Sequence, residues 1–115
     1  MDTAILTGLM EAVQQKMPIT FNYMGAAREV CPYMLGTTAD KGIVLQAFQF
    51  GGASSKGVIR DPQYGEWKYF YIDKISGGIQ SMVAGWYPAP KLEKAEPRNY
   101  VPPKFVTSVL ALAKE

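Results

Sequence analysis

The chain has 115 residues, of which 48% are hydrophobic and 19% are charged, and its formal net charge is +2. These fractions exclude a disordered chain, and one domain of this length buries roughly two thirds of the surface that its unfolded form exposes. The small charge by itself indicates no partner. With a single cysteine and no histidine, an internal disulfide and a conventional zinc site are excluded, and no metal or cofactor is predicted.

The sequence carries no recognisable targeting or membrane signal. The start Met1-Asp2-Thr3 lacks the basic region of a signal peptide, and no apolar run approaches the roughly 18 residues of a membrane span. The lone Cys31 fits a reducing compartment. The expected location is therefore the cytoplasm.

The first half of the chain predicts one helix and three strands. Thr3 or Asp2 can cap a helix that has apolar residues at helical spacing, and Pro18 prevents it from continuing far past Lys16. Strands are predicted at residues 19–24, 28–36 and 42–50, and a tight turn joins the first two into a hairpin. Because Pro32 has no amide hydrogen, it should lie at a sheet edge or at a bulge.

Residues 51–65 lack periodicity and predict a long loop. Its glycine-rich part, residues 51–57, lacks the Gly-Lys-Ser/Thr order of a Walker motif, and no helix pattern follows it, so it can offer an anion only backbone amides and one lysine. Ser54-Ser55-Lys56 is the grouping most suggestive of catalysis. Such a loop more often supplies flexibility than a nucleophile, and we predict that the protein is not an enzyme.

The run from Trp67 to Ile75 predicts a fourth strand, at residues 66–73, because bulky rings alternate with other residues. Its rings at 67, 69 and 71 share one face, whereas Lys68 and Phe70 share the other. Either this strand lines a ligand site, or it is a core strand whose tyrosine hydroxyls and lysine ammonium groups reach the edge of the barrel. Gly77-Gly78 permits a sharp bend into a fifth strand at residues 77–83.

The last part of the chain combines prolines, aromatic residues and an apolar end. Trp86 and Tyr87 either pack on the domain and hold the tail against it, or bind a partner protein. The apolar residues between Pro103 and Lys114 predict a C-terminal helix whose apolar face is wider than one contact needs. We therefore expect one side of this helix to pack on the domain and the other on a second copy, giving a homodimer with two-fold symmetry.

The order of the predicted strands and their amino-acid sequences resemble those of a known family. Ile19-Thr20-Phe21-Asn22-Tyr23, Arg28-Glu29-Val30-Cys31-Pro32-Tyr33-Met34-Leu35 and Trp67-Lys68-Tyr69-Phe70-Tyr71-Ile72-Asp73-Lys74-Ile75 together resemble the WYL domain of bacterial regulators. The resemblance spans about residues 3 to 80. The family commonly has arginine where this chain has Lys68 and Lys74. The Trp-Tyr-Leu tripeptide that names the family is replaced here by Ile43-Val44-Leu45.

The resemblance implies a mainly β fold: a five-stranded antiparallel SH3/Sm-like small barrel with an N-terminal helix over residues 1–83. Residues 84–115 would then form a Pro/aromatic tail and a C-terminal helix packed on the barrel. The family implies a bacterial or phage regulatory module that senses a ligand, often a nucleotide or nucleic acid. Such domains usually accompany a helix-turn-helix, for which this chain has no room. A stand-alone sensor, accessory subunit or inhibitor is therefore expected.

The candidate ligand contacts are cations that could hold a phosphate and rings that could hold a base. They are Arg28, Arg60, Lys68, Tyr69, Tyr71 and Lys74, with Tyr23 and Tyr33 as further rings. Alternatively, the cations are solvated and paired with Glu29, Asp61, Glu66 and Asp73. Strand alternation also indicates that Lys68 and Tyr69 cannot face one pocket without a bulge.

Two functions remain open. The first is a non-enzymatic regulatory barrel that binds a nucleotide or a nucleic-acid fragment, such as a single strand. The second is a protein interaction module, acting as a homodimer or as an accessory or inhibitor subunit of a larger complex, with no small ligand. Affinity for nucleic acid should fall steeply with salt, whereas an apolar dimer should be nearly insensitive to it.

Overall fold

The computed structural model describes residues 3–40, 42–54, 57–59, 65–82 and 104–113. Within these ranges the chain forms one α-helix, one turn of 3₁₀ helix and a seven-stranded sheet. The elements are α1 (Thr3–Gln15), β1 (Ile19–Tyr23), β2 (Ala26–Thr38), β3 (Ile43–Ser54), β4 (Gly57–Ile59), β5 (Glu66–Tyr71), the 3₁₀ turn (Ile72–Lys74), β6 (Ile75–Ser81) and β7 (Val106–Leu112). No described helix has the length and hydropathy needed to cross a bilayer.

The strands form one curled antiparallel sheet, a half-barrel, so the predicted mainly β antiparallel fold is confirmed. The strand count and the barrel type differ from the predicted five-stranded SH3/Sm-like barrel. The order is β4-β3-β2-β1-β6, with β5 alongside β3 and β7 alongside β2. The 3₁₀ turn connects β5, on one side of the sheet, to β6 on the other. The Tyr71 amide donates a hydrogen bond of 3.1 Å to the Tyr23 hydroxyl, which links β5 to β1 across the curl.

The inner face of the sheet, which carries Leu45 and Phe70, packs with α1 around the main hydrophobic core. Leu9 and Val13 of the helix are fully buried there, as the apolar spacing of the helix predicts. The Phe70 ring makes edge contacts with the rings of Phe21 and Tyr23, at centroid distances of 5.1 and 4.9 Å. A smaller cluster lies on the opposite, outer face and contains Cys31, Tyr33, Phe48, Phe50 and Ala113.

The prediction for Pro32 is confirmed, because a bulge interrupts the pairing of β2 with β3 at this point. Pro32 lies opposite Ala47, whereas Met34 lies opposite Gln46, so Tyr33 is the extra residue. The proline therefore occupies a site where the ladder is already irregular and its missing amide hydrogen is tolerated.

The predicted loop at 51–65 is wrong at residues 51–54 and 57–59. Residues 51–54 complete β3 and pair with residues 57–59 of β4. This hairpin was not predicted because its glycine and serine residues show no alternation of apolar and polar side chains. Ser55, Lys56 and residues 60–64 lie outside the described residues.

The predicted C-terminal helix is also wrong, because residues 106–112 form β7 against β2. The Ala113 amide extends the pairing with a 2.8 Å hydrogen bond to the Tyr33 carbonyl, and the hydroxyls of Thr37 and Thr107 lie 3.0 Å apart. β-Branched residues at 106, 107 and 109 favour a strand once β2 offers backbone partners. Trp86, Tyr87, Pro103 and Lys114 lie outside the described residues.

Replacing Gly36 by alanine should detach β7 from β2. A Cβ atom at position 36 would lie 2.7 Å from Val106 Cγ1 and 2.8 Å from the Ser108 carbonyl oxygen. We expect a loss of about 1 to 3 kcal/mol in the free energy of unfolding. Hydrogen exchange should show the β7 amides losing protection before those of β3. Unchanged protection at residues 106–112 would contradict this pairing.

Candidate ligand site

Tyr23, the last residue of β1, is the centre of a cluster that contains two of the predicted cations. The turn Met24-Gly25 returns the chain into β2, and Arg28 lies opposite Phe21 in the register, on the face that also carries Tyr23. The Arg28 guanidinium carbon lies 5.7 Å from the centroid of the Tyr23 ring, and Nη2 donates to the Tyr23 carbonyl oxygen at 3.4 Å. The tight hairpin thus places a cation over a ring.

A second cation–ring pair lies at the end of β5. Lys74 Nζ is 5.9 Å from the centroid of the Tyr71 ring. The hydrogen bond from the Tyr71 amide to the Tyr23 hydroxyl joins this pair to the first. Tyr23, Arg28, Tyr71 and Lys74 therefore form one group, which we term the cation–tyrosine cluster.

The two cations of this cluster differ in burial, and no described carboxylate pairs with either of them. Tyr23 is buried, Arg28 and Tyr71 are half-buried, and Lys74 is exposed. Among the described residues, neither Arg28 nor Lys74 forms an ion pair, and the buried Arg28 Nε has no hydrogen-bond partner. An oxyanion at this end of the sheet would meet cations that no described carboxylate neutralises.

The structure separates Lys68 and Tyr69 from this cluster. Lys68 Nζ forms a 2.9 Å ion pair with Glu66, one of the acidic residues named as alternative partners of the cations. Tyr69 lies on the outer face, where its hydroxyl accepts a 3.4 Å hydrogen bond from Gln46 and its ring meets Phe105 edge-on at 5.1 Å. Burial raises the pKa of the Tyr69 phenol. Arg60 lies outside the described residues.

Sequence reasoning did not identify Gln49 as a structural residue. This side chain is fully buried, and its amide nitrogen donates to the carbonyl oxygens of Gly51 at 3.0 Å and Ala53 at 2.8 Å. These bonds fix the end of β3, where Gly52 lies opposite Arg28. The sequence did not indicate that this glutamine is buried, because strand alternation is equally compatible with a glutamine on an exposed face.

Comparisons with known proteins support the fold. No family model and no curated protein matches the chain. Among solved structures, the chain is similar to proteasome accessory factor B/C (PafBC) of Arthrobacter aurescens, which contains a WYL domain. The TM-score is 0.55 at 20% identity, and the match covers 76% of this chain but 13% of PafBC. At this level of identity the similarity is one of fold alone.

Proposed function

We propose that this chain is a non-enzymatic regulatory module that binds a nucleotide or a nucleic-acid fragment through the cation–tyrosine cluster. The observation that carries the proposal is the junction of two cation–ring pairs through Tyr23, with no acidic partner for either cation among the described residues. The fold shared with PafBC, an accessory factor by its name, fits a regulatory role.

The chemistry of the cluster favours a ligand that combines phosphate with a planar ring. Arg28 supplies a half-buried guanidinium whose Nη2 stays on the Tyr23 carbonyl, and Lys74 adds an exposed point charge. Tyr71 offers a half-buried ring beside Lys74. Stacking of a base on such a ring contributes about 1 to 3 kcal/mol in single-strand complexes.

Binding of a fluorescein-labelled ten-residue oligothymidylate, measured by anisotropy, tests this proposal. Replacing Lys74 by alanine should weaken binding by about 5- to 150-fold, since one charge-assisted contact is lost. If Arg28 and Lys74 each hold one phosphate, the plot of log K against log salt should have a slope of about −1.4, at about −0.7 per contact on a single strand. The Lys74 variant should halve that slope.

Lys68→Ala is the matched control, because it removes the same charge from a lysine already paired with Glu66. We expect a smaller loss than for Lys74→Ala and little change in the salt slope. Equal losses in the two variants would indicate general attraction to a basic protein. Absence of binding by the wild-type chain to oligothymidylate and to mononucleotides would refute the proposed function.

The second candidate function is protein interaction, and the exposed apolar residues of β7 favour it. Val109 is 41% exposed and Leu110 is 37% exposed, and no described strand pairs with the outer edge of β7. The strand has neither charge nor proline, the residues that commonly protect an edge. We propose that a second copy pairs through β7 with two-fold symmetry.

Sedimentation velocity at micromolar concentration tests this self-association. Val109→Lys should shift a dimer towards monomer, because pairing would bring two ammonium groups together across the two-fold axis. Val58→Lys is the control, since Val58 is also exposed, at 62%, but lies on β4. A monomeric wild-type chain would exclude the dimer.

A further inference from the structure

The turn between β1 and β2 carries a residue that its backbone conformation disfavours. Met24 has φ of 51° and Gly25 has φ of 81°, so both central residues of this two-residue hairpin lie in the left-handed region. Asparagine, aspartate and glycine are the residues that suit the first of these positions. A methionine has a Cβ that crowds the following carbonyl and no polar group that could compensate locally. Local folding therefore does not explain the choice of Met24.

Met24 is also the most exposed of the large apolar side chains that the structure describes. Its relative exposure is 70%, so burial in the folded chain does not offset its backbone cost either. The residue follows Tyr23 directly, and the carbonyl and the ring of Tyr23 both contact Arg28. A polarisable apolar side chain thus projects from the same hairpin that holds the guanidinium with the unused Nε donor.

We infer that Met24 is a ligand-contacting residue that packs against the base of the nucleotide whose phosphate Arg28 binds. This inference rests on the proposed function and extends it, because it assigns recognition of the base to the β1–β2 turn. Methionine suits this task, since its thioether makes favourable contacts with the edges and faces of planar rings and adapts to different ring shapes. The unfavourable turn residue is then retained for binding.

Met24→Asn separates this role from a purely structural one. Asparagine relieves the turn, so the melting temperature should rise by about 3 to 5 °C. Affinity for the labelled oligothymidylate should nevertheless fall by about 2- to 12-fold, the range that corresponds to one sulfur–ring contact. An abasic ten-residue strand of the same backbone has phosphates but no bases, and its affinity should not change.

Met24→Leu is the matched variant, because it keeps an apolar side chain of similar volume at the same backbone cost. Because it keeps the apolar contact and loses only the sulfur, it should lose less affinity for oligothymidylate than Met24→Asn does. Loss of binding by Met24→Asn to both strands equally would overturn the inference, since the variant would then act through Arg28. Unchanged binding of oligothymidylate by Met24→Asn would overturn it while leaving the proposed function intact. Failure of the wild-type chain to bind either strand would instead overturn the proposed function itself.

Discussion

Replacing Phe70 by alanine is expected to lower the free energy of unfolding by about 3 to 5 kcal/mol. Phe70 is 1% exposed and lies where β5 meets the main core, opposite Leu45 of β3. Its ring also makes edge contacts with Phe21 and Tyr23 of β1, from across the curl. One ring therefore fills the space between β5 and β1, and its removal would leave a cavity inside the curl.

Urea denaturation measures this effect, and Tyr69→Ala on the same strand is the control. Tyr69 is 41% exposed on the outer face, so Tyr69→Ala should lower the free energy of unfolding much less than Phe70→Ala does. The Phe70 variant should also bind oligothymidylate less well, because Phe70 supports the Tyr23 ring. Comparable losses of stability in the two variants would mean that the curl does not close around Phe70.

Replacing Gly52 by alanine is expected to lower the free energy of unfolding by about 2 to 5 kcal/mol, because backbone strain and steric overlap add together. Gly52 has φ of 83°, which disfavours any residue with a Cβ. A Cβ there would lie 2.5 Å from the Ala27 carbonyl oxygen and 3.1 Å from Arg28 Cα, both of which are backbone atoms that cannot move aside easily. The close approach of β3 to β2 beside Arg28 therefore depends on this glycine.

Gly25→Ala separates the two contributions. Gly25 has φ of 81°, nearly the same as Gly52, but a Cβ there would meet no atom within 4 Å. Thermal or urea unfolding of this variant should show the strain alone, about 1 to 2 kcal/mol. The difference between the two variants measures the contact with Ala27. If Gly52→Ala destabilised the chain no more than Gly25→Ala, the close approach would be disproved.

Much of the fold could be predicted from local pattern, because the pattern reports directly on burial. The apolar spacing of residues 3–15 predicted α1, and the alternation of side chains predicted β1 and β5. The missing amide hydrogen of Pro32 predicted an irregular site, which is the bulge between β2 and β3. The antiparallel curl followed from the family resemblance and the short connections. Exposed and glycine-rich strands could not be predicted, because β4 and the outer positions of β7 bury few side chains.

The candidate site was predictable in its residue types but not in its grouping. Alternation predicted that Lys68 and Tyr69 lie on opposite faces of the strand, but it could not show that Glu66 pairs with Lys68. The hydrogen bond between the Tyr23–Arg28 pair and the Tyr71–Lys74 pair depends on the curl, which brings the end of β5 to Tyr23 across the sheet. Such long-range closure is set by sheet twist and bulges, which leave little trace in the sequence.

The most direct test of ligand binding at the cation–tyrosine cluster is a titration of the ¹⁵N-labelled chain with unlabelled oligothymidylate, followed by amide chemical shifts. We predict that the largest changes fall in two segments distant in sequence, residues 23–28 and 71–75, and that they weaken together as salt increases. Lys74→Ala should reduce the changes in both segments because they report one site. Changes confined to β7, or no changes at all, would contradict the assignment of this cluster as the ligand site.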